Sequence, residues 1–298
     1  MIEDLCYCGR IFSQEQIQWI RDLIDSQPNL NRAALSRHLC DHLQWLTPDG
    51  RRKEMSCRVA MLRMQRDGLI TLPQPVKGNG NGRRRPLLTP ASDLRPLISA
   101  PAGSLGPLRV QPVVTRSDSS LWNELTERYH YLAYSPLPGA QMRYLVFAAD
   151  QLLALLGFGA AAWALGPRDQ FVGWTPQQRI GNLHLVANNA RFLILPWVTS
   201  RNLASKILAV AARQLPADWL KRYGYAPVLL ETFVEYRRFS GGCYRAANWI
   251  PLGITQGRGK LDTKNLYSLP VKRIFVYPLR KDFREILCAP IQKKGRVH

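Results

Sequence analysis

Apolar residues between Ser13 and Ser26 fall at Ile17, Ile20, Leu23 and Ile24, the spacing of one helical face, and Ser13 with Glu15 or Gln16 supplies a capping box at its start. A second helix is predicted from Asn31, with Leu35, Leu39 and Leu43 in one stripe. The turn chemistry of Thr47-Pro-Asp-Gly50 then separates it from a third helix, Lys53 to Asp67. In that helix Met55, Val59, Leu62 and Met64 are expected inward, with Arg51, Arg52, Lys53, Arg58, Arg63 and Arg66 outward. Gly68 ends it, and Leu69 to Pro73 alternates as a short strand.

Periodicity disappears over residues 74–116, which are rich in Pro and Gly and read as a basic, partly extended linker. It returns at 117–298. Trp122 to Tyr134 predicts a helix ending in an aromatic and imidazole cluster, and Met142–Ala148 and Leu152–Gly159 predict two strands. Thr175 and Pro176 open a further helix. Arg191–Leu195, a helix from Leu203 to Arg213, Val228–Val234, the short helix YRAAN, and an antiparallel pair Ile250–Thr255 and Val271–Tyr277 complete the series. Hairpins followed by alternating strands and helices indicate a mixed α/β domain with helices on the faces of one sheet.

Charge changes the picture. The 298 residues carry 41 Lys and Arg against 21 Asp and Glu, a formal net charge of +20, so a polyanion is the expected partner. No apolar stretch reaches the roughly 18 residues of a spanning helix, which argues against a membrane. The opening MIEDLCYCGR does not read as a signal peptide, and six cysteines scattered through so large a chain suit a reducing, cytoplasmic, nucleoid-associated setting. Cys6 and Cys8, with His38, Cys40 and His42, have the wrong spacing for zinc, and no metal site is assigned. Three helices, a basic third helix and a following strand resemble a winged-helix or helix-turn-helix DNA-binding domain over 1–73. Arg51, Arg52, Lys53, Arg58 and Arg63 would face the DNA. Arg83, Arg84 and Arg85, after a Gly/Asn run, suit a minor groove or simple phosphate contact.

The candidate chemistry centres on Val228–Arg237 and the segment GGCYRAANWIPLGITQGRG at 241–259. Glu231 interrupts an apolar strand, and an unpaired buried carboxylate is costly. A covalent phosphotyrosine route would use Tyr244 as nucleophile, with Arg191, Arg143, Arg245 and Lys260 stabilising charge and His130 or Glu231 moving the proton. A two-metal route with Mg²⁺ needs about three carboxylates and finds Glu231 with Asp169 or Asp150. Against both stand plain packing for Tyr244 and pairing of Glu231 with Arg191 or Arg245. Arg201 and Lys206 flank a helix start suited to a phosphate, and Arg258 and Lys260 extend the basic set.

Several motifs resemble the family of the Druantia anti-phage protein DruA: YHYL at 129–132, RDQFVGW at 168–174, NNARFLILPWV at 188–198, ETFVEY at 231–236 and CYRAANW at 243–249. The resemblance implies a role in defence or transposition, with a helicase or another defence or mobile-element protein as partner and self-association as an option. The order of strands and helices after Arg191 is also similar to GNAT acyltransferases, although Arg201 to Lys206 lacks the glycines of their cofactor loop. Three functions therefore stand side by side: DNA cleavage and joining, non-catalytic DNA recognition, and acyl transfer, with the cofactor unassigned.

Overall fold

A computed structural model of the protein describes residues 5–76, 85–258 and 268–290 and divides the chain into two compact units, Met1–Arg84 and Arg85–His298. The first opens with a hairpin absent from the sequence expectations, β1 (Leu5–Tyr7) and β2 (Arg10–Phe12). Cys8 and Gly9 both take positive φ, 53° and 77°, as a two-residue type I′ turn requires. Ser13 and Gln16 form the capping box of α1 (Gln14–Ser26), and Asn31 accepts the amides of Ala33 and Ala34 at the start of α2 (Arg32–His42).

Helix α3 (Glu54–Arg66) presents a different face from the expected one. Met55, Val59 and Leu62 are exposed, whereas Met64 is buried as expected, together with Cys57, Ala60 and Met61. Both sets have helical spacing, so periodicity alone does not choose between them. The face packed into the core is the one bearing the smaller Cys57 and Ala60.

The strand expected at Leu69–Pro73 is also corrected. Ile70 and Leu72 point inward as a strand's alternate residues would, yet the segment pairs with no other strand. Its polar backbone groups are met by side chains instead: Arg21 donates to the Leu69 carbonyl, Arg32 to the Pro73 carbonyl, and the Leu72 amide to Gln65. The first unit is therefore three helices with an N-terminal hairpin, and the described residues contain no wing after the third helix.

The second unit starts at Arg85, well before the expected boundary at 117. Ile98 exchanges backbone hydrogen bonds with Trp197 and Thr199, and β3 (Leu108–Pro112) pairs with β4 (Met142–Ala148). The Pro/Gly content of this stretch hides an edge strand that turns Val110 inward, a place where proline is tolerated. After β3 come α4 (Arg116–Tyr129), β4, β5 (Gln151–Ala160), α5 (Gly166–Val172), α6 (Pro176–Asn182) and β6 (Val186–Ile194). There follow α7 (Leu203–Tyr223), β7 (Leu229–Glu235), α8 (Gly242–Ala246), β8 (Ile250–Ile254), β9 (Lys272–Pro278) and α9 (Phe283–Leu287).

Seven strands form one mixed sheet in the order β3-β4-β5-β6-β7-β9-β8, in which only β6 and β7 run parallel. That confirms the mixed α/β class. Helix α7 runs ten residues beyond the expected Arg213, through Pro216, and buries Ile207, Leu208, Ala211, Ala212, Leu215 and Trp219. No helix among the described residues is long and apolar enough to cross a membrane.

Candidate functional site

Parallel strands β6 and β7 are in register from Val186 opposite Leu229 to Asn189 opposite Thr232, and beyond that they part. In an open sheet, the carboxyl ends of parallel strands are where a crevice forms. Alternation along β7 sends Leu230, Thr232 and Val234 to one face and Leu229 and Glu231 to the other.

On the first face the Tyr244 hydroxyl donates to Asn189 Oδ1 at 2.7 Å, while Thr232 donates to the Asn189 carbonyl at 2.9 Å. The Tyr244 ring stacks on Phe275 and meets Trp249 and Phe192 edge-on. Only 6% of the residue is exposed, and burial pushes its phenol well above the ordinary value. A nucleophile must reach its substrate and ionise, so the covalent role expected of Tyr244 is corrected to a core position. Gly241, which starts α8, sits at φ 73°, and a Cβ there would come within 2.5 Å of the Phe275 ring. The glycine thus lets Phe275 lie flat against Tyr244.

On the second face Glu231 is fully buried, and so is its partner, Arg168 of α5, rather than the expected Arg191 or Arg245. The Glu231 carboxylate accepts from Arg168 Nη1 at 2.8 Å and from the Ala162 amide at 2.7 Å. Arg168 also donates to the Ala162 carbonyl and to Asp169, whose carboxylate further accepts from Trp174 Nε1 and Arg179 Nη1. Burial pushes the Glu231 carboxyl up against the pull of Arg168, whereas the arginines around Asp169 hold it below the usual range. Arg168 is absent from the expected site residues; the signal available was the RDQFVGW motif and an acid in need of a cation. Asp169 is committed to this network, and the described residues hold no group of three or more His, Cys, Asp or Glu side chains suited to a metal.

Among the described residues the Tyr244 hydroxyl bonds Asn189 and Thr232 rather than His130, Arg191 or Arg143. Arg191 donates to the Ala190 carbonyl and to Ser135, and burial, with the Arg191 charge second, pushes His130 down to about 4. Nδ1 of His130 accepts the Leu132 amide. Arg143 sits in a separate pocket of about 120 Å³, donating to Asn123 and Ser119 over the Trp122 ring. The structure brings His130 and Arg191 together and leaves Arg143 out.

At the start of α7, where a phosphate site was expected, lies an open cavity of about 830 Å³. Arg201, Lys206 and Arg213 line it with no carboxylate among the lining residues, and Asn248 closes the far side. Asn202 precedes the helix at φ 62° and its side chain caps no amide, so the first turn keeps donors available for an anion. Lys206 Nζ donates to the Ala102 carbonyl at 2.9 Å, pinning the loop that walls the cavity. Arg245 follows on the exposed surface of α8, and Arg258 is exposed beyond β8.

In the first unit the arginines expected on DNA are largely engaged at the surface: Arg51 with Asp49, Arg52 with Asp41, and Arg58 with Glu54. Arg63 is exposed, and Lys53 is half-buried at the start of α3. Arg85 pairs with Glu127 at 3.6 Å, while Arg83, Arg84 and Lys260 lie outside the described residues. The charge follows the units unevenly: residues 1–84 hold 13 Lys and Arg against 9 acids, a net +4, and residues 85–298 hold 28 against 12, a net +16.

The family model described as "Druantia protein DruA" matches residues 63–268. No curated protein matches the chain. Similar solved structures include an N-acetyltransferase from Staphylococcus aureus Mu50, at 10% identity over 58% of this chain and 99% of that one, TM-score 0.35. An acetyltransferase from Bacillus subtilis in complex with CoA is likewise 10% identical over 58% of this chain and 100% of its own, TM-score 0.35. An acetyl transferase from Salmonella typhimurium, which modifies the N-terminal serine of ribosomal protein L7/L12, is 11% identical over 47% of this chain, TM-score 0.30. The match spans 64% of that enzyme's length.

Proposed function

The chain belongs to the defence-associated Druantia DruA family, and from that premise we propose that it is a DNA-binding component of such a system that grips the strand without cutting it. The observation that carries this reading is the cavity at the start of α7, where Arg201, Lys206 and Arg213 converge with no acid among the lining residues. A phosphodiester satisfies both the cations and the uncapped first turn of the helix. Burial and full partnering of Tyr244 and Glu231 favour binding over transposase or nuclease chemistry. The net +16 of the second unit supplies the field that draws a polyanion to the site.

Binding of a labelled duplex measured across a salt series tests the reading. Arg201→Ala and Arg213→Ala should each weaken binding uniformly across sequences and reduce the salt slope by about 1. Strand cleavage or a covalent adduct in the presence of Mg²⁺ would overturn the non-catalytic part, and absence of duplex binding would overturn the whole.

One observation favours a second reading. The cavity volume of about 830 Å³ falls within the roughly 300–1,000 Å³ of small-molecule sites, so a phosphate-bearing cofactor such as coenzyme A fits its size and charge. A rise in unfolding temperature with millimolar acetyl-CoA, lost in Arg213→Ala, would select acyl transfer instead.

A further inference from the structure

Beyond the end of β7 the chain makes a tight turn, Tyr236-Arg237-Arg238-Phe239-Ser240, of which the expected site takes in only Tyr236 and Arg237. Its backbone is fixed: the Tyr236 amide donates to the Val271 carbonyl, and the amides of Arg238 and Phe239 donate to the Glu235 carbonyl. Its side chains are not withdrawn into the core. Tyr236 is 46% exposed and Phe239 45%.

These rings belong to an array interleaved with cations. The Arg273 guanidinium lies 4.0 Å from the Tyr236 ring centre, and Arg238 lies 4.9 Å from that of Tyr131. Tyr131 meets Phe239 edge-on at 5.3 Å and stacks on His130 at 4.9 Å. Arg191 and Lys272 are half-buried close by and make no ion pair among the described residues. Glu235 is the acid in the group, 3.8 Å from Arg238. The half-exposed rings of Tyr236 and Phe239, set beside the guanidinium groups of Arg273 and Arg238, suit planar bases joined by phosphates, and the excess of positive charge disfavours a neutral or basic protein surface as occupant.

We propose that this turn, with Tyr131 beside it, is a stacking platform for a single-stranded nucleic acid segment, an assignment that rests on the DNA-binding reading above. Bases of a duplex keep their faces covered by their neighbours, so rings on this platform are open to an unpaired strand and closed to an intact helix. Rings read no base edge, so binding here is tolerant of sequence.

The test compares an oligo-dT of about 15 nucleotides, the matching oligo-rU and a blunt duplex by fluorescence anisotropy on the full-length protein. The Tyr236→Ala/Phe239→Ala double variant should lose at least tenfold in affinity for the single strands, with duplex affinity changed less than about twofold, since stacking acts per unpaired base. Tyr236→Phe, which keeps the ring, should bind as the wild type does. The dT and rU arms show which sugar the site accepts. Unchanged single-strand binding by the double variant, with wild-type duplex affinity, would overturn the platform and leave the α7 cavity reading intact. Equal loss on duplex and single strand would overturn it as well, and wild-type protein that binds neither form would sink both readings.

Discussion

Arg168 and Glu231 form an ion pair with no solvent on either side, and such a pair is most costly when only one charge is removed. Arg168→Met should therefore lower stability by about 3–5 kcal/mol in urea unfolding, and the Arg168→Met/Glu231→Met double variant by less than that. His130 gives a pH signature. Its folded value near 4 lies below the unfolded 6.5, so above pH 6.5 neither state is protonated and nothing is lost. As pH falls from 6.5 toward 4 the unfolded chain takes a proton that the folded one refuses, and stability declines. Between pH 7 and pH 5 the wild type should lose roughly 2 kcal/mol more than His130→Asn, read from unfolding at the two values. Glu231 was legible as an anomaly in its strand. Arg168 was not, because sixty-three positions separate the partners and an arginine in a polar stretch carries no mark of burial.

At the scale of elements, three helix starts were readable to within a residue, because Ser13, Asn31 and Thr175 each accept the amide that their position requires, whereas α4, capped by Thr115, starts six residues before the expected Trp122. The buried face of α3 was not. Hydrophobic size pointed to Met55, Val59, Leu62 and Met64, while the packed face keeps Met64 alone of these, beside Cys57, Ala60 and Met61. Leu62→Lys should thus change stability by less than about 0.5 kcal/mol, whereas Met61→Ala should cost about 2–5 kcal/mol, measured by thermal or denaturant unfolding. Helix α8 depends on its first turn. Gly241→Ala places a methyl inside the Phe275 ring contact and at an unfavourable φ, and should destabilise by more than 1 kcal/mol in the same measurement.

At the scale of the molecule, the chain's excess charge was visible from composition but its allocation was not, because the boundary between the units falls inside a Pro/Gly stretch whose second half is built into the sheet. The sheet itself was legible as mixed α/β through the apolar runs. Its one parallel junction was not, since pairing order is set by the crossover of α7 rather than by any local signal. That junction has a mechanical meaning. β6 and β7 are joined by four residue pairs, against seven between each of them and its other neighbour, so the sheet carries a seam dividing β3-β4-β5-β6 from β7-β9-β8. Amides bordering that seam should trade hydrogen for deuterium ahead of those inside either half, and each half should open as one cooperative block.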